Sequence, residues 1–318
     1  MRLPPGVGNE PARMQSYFAM DIMALLPAIG FYRIAKFVDA GLRTRTVTPS
    51  DAPSGQLSPR SPKVSIITVC FNSVRTIRDT IESVLSQDYH PIEYIVVDGG
   101  STDGTVEIIR QYQDRIDTFV SEPDRGIYDA MNKGIGLATG DVVGMLNSDD
   151  FYTDPRVVSD LIAAMGRAGV DAVFADLVYV DASDLGRVRR YYDSSGWHPG
   201  RFRFGWMPAH PTLFVRRECY ARCGSFSFDY RIAADFEMLV RLFHRGATTY
   251  TYVQRAVVKM RVGGVSTRGL WHSWIINREI VRACRANGIW TTLPVVLLKI
   301  PAKLLGVLFP NRRPTGTC

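Results

Sequence analysis

Four short apolar runs, at residues 64–70, 92–97, 118–120 and 142–146, constrain the fold of this chain more than any other feature. Each stops abruptly at polar residues, as strands buried on both faces of a sheet do. The segments between them have helical spacing. Ile77, Ile81, Val84 and Leu85 make one apolar stripe, with Asn72 or Ser73 placed to cap it, and Val106, Ile108 and Ile109 mark the next helix. Strand and helix alternating at this interval predict right-handed βαβ units and a mostly parallel sheet. The carboxyl ends of such strands share one edge, where open α/β sheets bind ligands. Asn72, Asp98 and the run Asn147, Ser148, Asp149, Asp150 therefore converge, although they are distant in sequence.

Two adjacent carboxylates at a strand end repel each other unless positive charge arrives. A hard divalent cation carrying phosphate oxygens would supply it; capping of the next helix is the competing explanation for Asp149 and Asp150. The turn after the first strand reads Cys70-Phe71-Asn72-Ser73, so the GxGxxG of a dinucleotide site is missing, and no Walker A pattern occurs. The crevice is of a nucleotide-binding type without either Gly-rich phosphate loop, which leaves a metal on Asp149 to hold phosphates.

Composition bounds the rest. With 318 residues, 46% hydrophobic and 22% charged, the chain has room for a full core plus extensions. No uninterrupted apolar run reaches the length of a membrane span. The five cysteines form no CxxC pair, which predicts reduced thiols in a cytoplasmic setting, and the n-region/h-region order of a secretory signal is missing. Residues 1–62 read as a helical extension and a Pro/Ser/Thr-rich linker. The net charge of +7 is accounted for by eight basic residues and one acidic residue between Arg268 and Cys318. That charge accompanies the apolar stretch 289–309, which Pro294, Pro301, Lys299 and Lys303 interrupt. The pattern predicts peripheral attachment to an anionic membrane surface rather than a span, and no nucleic-acid partner. A helix pair packed on the body is the alternative.

At this point the motifs carry a resemblance. VSIITVCFN, IVVDGGSTDGT, SEPDRGIYDAMNKG and GDVVGMLNSDD, in that order, followed by HPTLFVRRECYARCGSFSFDYRIAADFEMLVRL, resemble the family 2 glycosyltransferases of the GT-A fold, in their bacterial exopolysaccharide and glycolipid branch. The likeness covers roughly residues 64–265. It implies a catalytic domain over 63–267, with a donor-nucleotide half at 63–150 and an acceptor half at 151–267. A basic, helical C-terminal region, 268–318, follows.

The resemblance also implies roles. Asp98 would contact the donor base, with Thr68 and Phe71 lining base and ribose; the second Asp common after it is replaced by Gly99. Asn147, Ser148 and Asp149 take the DxD position, with Asn147 for its first Asp, leaving Asp149 to hold Mn2+ or Mg2+ and Asp150 to orient a ligand or the chain. Arg125 and Asn132 lie in the segment that closes over the nucleotide. Asp235 matches the catalytic base that takes the proton of the acceptor hydroxyl in a single inverting displacement, and Glu237 is the runner-up. Trp206 and His210 are candidate acceptor contacts; Tyr179, Asp176 and Asp181 are weaker ones. The expected activity is transfer of a single sugar from a nucleotide-diphosphate sugar to a glycan or lipid-linked acceptor at the inner face of the cell membrane. A sugar nucleotidyltransferase would need a Gly-rich basic first turn, and an inactive membrane-bound partner would lack Asp149 or Asp235. Processive synthases carry several spans and a Gln-x-x-Arg-Trp motif, and neither is present.

Overall fold

The computed structural model describes residues 61–262 and 269–299, all within the unit Ser54–Cys318. Most of the expected extension 1–62, together with residues 263–268 and the end of the basic region from 300 onward, lies outside the described residues. In chain order the elements are β1 (Val64–Cys70), α1 (Ile77–Leu85), β2 (Ile92–Asp98), α2 (Thr105–Arg110), β3 (Thr118–Ser121), α3 (Ile127–Leu137), β4 (Val142–Met145) and β5 (Asp150–Tyr152). There follow α4 (Val157–Ala168), β6 (Ala172–Val180), β7 (Val188–Tyr192), β8 (Phe214–Arg216), α5 (Arg217–Cys223), α6 (Ala234–Val240), β9 (Tyr250–Arg261), α7 (Gly269–Ala286) and α8 (Leu293–Leu297).

The four predicted strands form the parallel half of the sheet, in the order β3-β2-β1-β4. Every residue of β1 is buried, because helices cover both faces. Ile66 and Val96 face a layer with Ile77, Ile81 and Val84 of α1, whereas Ile67, Val69 and Val97 face Ala130 and Met131 of α3. Gly134 is what lets α3 lie this close, since a Cβ there would overlap the Ile67 side chain. Beyond β4 the sheet is mixed. β8 runs antiparallel to β4 and β6, β9 runs parallel to β6, and β5 pairs antiparallel with β9. Gly144 makes room at this junction, because a Cβ there would come within 2.6 Å of the Phe214 ring.

The second half buries a cluster of rings. Trp197 lies 5.2 to 5.5 Å from Phe174, Phe202, Phe243 and Tyr250 between ring centroids, a separation at which edge-to-face pairs attract. α7 covers this cluster with Ile280, Ala283 and Cys284. The described start of the C-terminal apolar stretch also packs on the body. Val296 of α8 is buried, the Thr291 hydroxyl donates to the Arg203 carbonyl at 2.5 Å, and Lys299 is buried against Gly205. Within the stretch expected to face lipid, residues 289–299 thus pack on the body through Thr291, Val296 and Lys299, while Trp290 and Leu298 remain exposed. Among the described residues no helix is long and apolar enough to cross a membrane.

Candidate active site

Strand register sets the site. Cys70 of β1 pairs with Asp98 of β2, and Asp98 with Ser121 of β3, so these strand ends lie side by side. β4 continues the edge: Leu146 N–H donates to the Ile67 carbonyl at 3.0 Å and Ser148 N–H to the Val69 carbonyl at 3.3 Å. The turns that follow are stitched together by their own polar groups. Asn72 adopts a left-handed φ of 49°, donates its N–H to the Ser101 hydroxyl at 2.7 Å and accepts from Thr102 N–H at 3.0 Å. Asp103 accepts from the N–H groups of Val74 and Thr105, both at 3.0 Å. The Ser73 and Ser148 hydroxyls meet at 2.8 Å, which joins the first turn to the last.

Asp98 is the centre of this stitching. Its buried carboxylate accepts from Gly100 N–H at 3.1 Å, Ser101 N–H at 2.9 Å, the Ser121 hydroxyl at 2.7 Å, the Ser101 hydroxyl and the Cys70 thiol. Burial alone would push its pKa up; the bonds from Ser101, Ser121 and Cys70 outweigh that and hold it below the ordinary value. The same burial and the Asp98 charge push the Cys70 thiol up. Both Asp98 oxygens are thus engaged by the chain itself. The space a second Asp would fill at Gly99 is taken by the Asp124 carboxylate, which a Cβ there would overlap. Asp124 accepts from Gly126 N–H through Oδ1 at 2.8 Å and is half-buried.

The other donor-side candidates divide. Phe71 is 61% exposed at the edge. Thr68 is fully buried one turn of pleat deeper, its hydroxyl accepting from Tyr94 at 3.1 Å. Arg125 pairs with Asp129 at 3.3 Å and stacks over Phe228 at 4.1 Å. Asn132 is bonded to a distant segment. Its amide donates to the Phe226 carbonyl at 2.9 Å and accepts from Phe226 N–H at 2.7 Å, which bolts α3 to the second half of the chain.

The end of β4 holds the acid pair. Burial raises the pKa of Asp149, against the pull of Arg261. Asp150 is fully buried and its pKa is pushed well above the ordinary value, by burial first and by Asp149 second. Asn147 donates to Asp150 Oδ2 at 3.4 Å, while Asp150 Oδ1 is buried without a hydrogen-bond partner. Arg261, at the end of β9, donates to the Asp149 carbonyl at 2.7 Å, pairs with Asp79 and lies 4.9 Å over the Phe151 ring. No local pattern marked Arg261 in the sequence. Among the described residues no group of three metal-ligating side chains occurs. The donor set, two carboxyls with one unpartnered oxygen, suits a hard cation that brings its remaining oxygen ligands with it.

Asp235 is the second residue of α6 and half-buried. Burial raises its pKa; His210 and the Phe236 N–H, which donates at 2.7 Å, pull it down, and Glu279 pushes it up. His210 is buried, with its ring edge-on to Phe226 at 6.2 Å, and burial lowers its pKa against the pull of Asp235. Burial is the largest of these influences, so Asp235 keeps a raised proton affinity. The loop before it is held from two directions. Glu279 of α7 accepts from the N–H groups of Arg231, Ile232 and Ala233 at 2.8 to 2.9 Å, and the Tyr128 hydroxyl of α3 donates to the Ile232 carbonyl. Glu237 is buried and clamped by Arg241 at 2.8 Å, with Asn287 donating at 3.4 Å, so it has no free oxygen to offer a substrate. Trp206 is half-buried, and its carbonyl accepts from the Trp197 indole at 3.2 Å. Asp176 accepts from Tyr191, Tyr252 and Ser194 N–H in the core, Asp181 pairs with Arg189, and Tyr179 lies under Arg190.

Comparison with known proteins gives the same arrangement a family. The family described as Glycosyl transferase family 2 matches residues 65–220. An uncharacterized glycosyltransferase of Mycobacterium tuberculosis is 34% identical over 183 residues, covering 57% of this chain and 69% of the relative. A PGL/p-HBAD biosynthesis glycosyltransferase of Mycobacterium bovis is 28% identical over 226 residues, covering 70% and 84%. The crystal structure of S. aureus TarS 1-349 in complex with UDP-GlcNAc superposes with a TM-score of 0.56 at 17% identity, covering 79% of this chain and 76% of that one, and shows the shared fold. This chain belongs to glycosyl transferase family 2.

Proposed function

We propose that this enzyme moves one sugar from a nucleotide-diphosphate sugar to a hydroxyl of a glycan or glycolipid acceptor at the inner membrane face, by a single displacement with inversion. Residues 63–150 form the donor half and 151–267 the acceptor half. The observation that carries this is the separation of two kinds of acid. Asp149 and Asp150 stand at the sheet edge, and Asp235 stands alone at the head of α6 while Glu237 is locked to Arg241. The UDP-GlcNAc bound to the structural relative TarS supports a donor of this class. The PGL/p-HBAD biosynthesis relative supports a place in biosynthesis.

Asp149, with Asp150 behind it, would hold Mn2+ or Mg2+. When bound, that cation neutralises charge growing on the diphosphate leaving group. Asp235 takes the acceptor proton as the new bond forms, and its raised pKa suits a general base. The exposed Phe71 ring offers a face for the donor base. Asp98 keeps the turn rigid, so the donor meets backbone groups already in place.

Calorimetric titration of UDP and of GDP, with and without manganese, tests the assignment. Metal-dependent binding is expected from the wild type and none from Asp149→Ala, with thermal unfolding unchanged. Metal-dependent binding at wild-type affinity in the variant would end the role of Asp149.

A further inference from the structure

α7 has two unlike faces. Ile280, Ala283 and Cys284 are buried against the body. The opposite stripe carries Trp274, Arg278, Val281, Arg282 and Arg285, residues that follow one another at helical spacing and line a groove of about 680 Å3 with Leu293 of α8. Trp274 is 44% exposed, and Trp290 and Leu298 beside α8 are 66% and 51% exposed. The sole acid within the helix, Glu279, is turned away and spent on the backbone ahead of Asp235. Arg282 shares Asp229 at 3.9 Å, and Arg285 donates to the Thr291 carbonyl at 3.0 Å. Among the described residues neither Arg278 nor Arg285 has an acidic partner.

We propose that this arginine–tryptophan face of α7, with the Trp290–Leu298 edge, is the surface that docks on an anionic phospholipid bilayer. The proposal rests on the membrane-face acceptor reading above and gives it a location. Charge complementarity selects the occupant. Guanidinium groups between exposed indoles suit a headgroup layer, where the rings sit at the interface and the cations meet lipid phosphates. The chain's own end is a poor occupant, since Lys303, Arg312 and Arg313 add positive charge to a positive face.

Vesicle co-sedimentation of the full chain tests it, using phosphatidylcholine alone and phosphatidylcholine mixed with phosphatidylglycerol. Binding is expected with the mixed vesicles only, and added salt should weaken it. The double substitution Arg278→Gln/Arg285→Gln should weaken it about twenty-fivefold, since each basic residue at such a surface contributes roughly fivefold. Arg167→Gln, an exposed arginine of α4, should change nothing. Equal binding by the double variant, equal weakening by Arg167→Gln, or no preference for phosphatidylglycerol would overturn the proposal. UDP and GDP titrations of the same variants keep the two failures apart. Unchanged nucleotide affinity is expected, and lost affinity would show that the arginines serve the fold instead.

Discussion

Two regions of the molecule, the strand-end turns and the head of α6, hold their carboxylates in opposite ways. At the strand-end turns Asp98 is saturated: backbone and hydroxyl donors from its own turn and the neighbouring strand meet it, and its pKa falls below the ordinary value. Asp235 meets fewer donors, backbone groups alone, and burial raises its pKa. An acid surrounded by donors stabilises a loop and has nothing left for chemistry. An acid starved of donors costs stability and keeps its appetite for a proton. The contrast supports the proposed division of labour, with Asp98 as scaffold and Asp235 as base.

Substitution at Asp235 should give the largest effect. Asp235→Asn should lower turnover by about two to four orders of magnitude while donor affinity holds, because the amide cannot take a proton. Steady-state release of nucleotide and a donor titration check both; more than about a tenth of wild-type turnover would place the base elsewhere. The same substitution should raise the melting temperature at neutral pH. A carboxyl whose folded pKa lies above its unfolded one is penalised once pH exceeds the unfolded value, and the amide escapes that penalty.

Asp98→Asn should do the reverse, lowering stability by about 2 kcal/mol at neutral pH as charged hydrogen bonds are lost. Because the folded pKa of Asp98 is depressed, its contribution is present above the unfolded carboxyl value of about 4 and fades as pH falls through the folded one. Denaturant melts at stepped pH should therefore find the wild type and Asp98→Asn converging in acid. Parallel curves would break the comparison.

The smallest effect concerns His210. It pulls the Asp235 pKa down, against burial and Glu279, with Tyr128 and Tyr192 also feeling the Asp235 charge. His210→Gln should move the acid limb of the turnover profile to higher pH with little change in the plateau. A limb that stays in place would leave His210 a packing residue beside Phe226.

These differences explain what could be read from the chain beforehand. The donor edge was legible because its bonds are local: Asn72, Asp98 and Asp103 act within turns whose residue types announce them. Asn132 looked like a nucleotide contact, yet its partner Phe226 lies 94 residues away, beyond the reach of any motif. Thr68 sits on a strand buried on both faces, so period-two alternation could not tell edge from interior. Arg261 reaches Asp149 only through the pairing of β9 with β5. The parallel order of β1 to β4 followed from strand–helix alternation, whereas the antiparallel insertion of β8 depends on a long excursion that no local period encodes.

Glu279 has one further consequence. It stands next to Arg278 on the same rigid helix, and its carboxylate grips the three amides just ahead of Asp235. With the arginine face resting on lipid as proposed, Asp235, the proposed base, would stand at a fixed altitude above the headgroups, set by the width of one helix and one side chain. The enzyme would then carry a depth gauge, and the stem of an acceptor, the span between its lipid and the hydroxyl it offers, would be measured before any sugar is recognised.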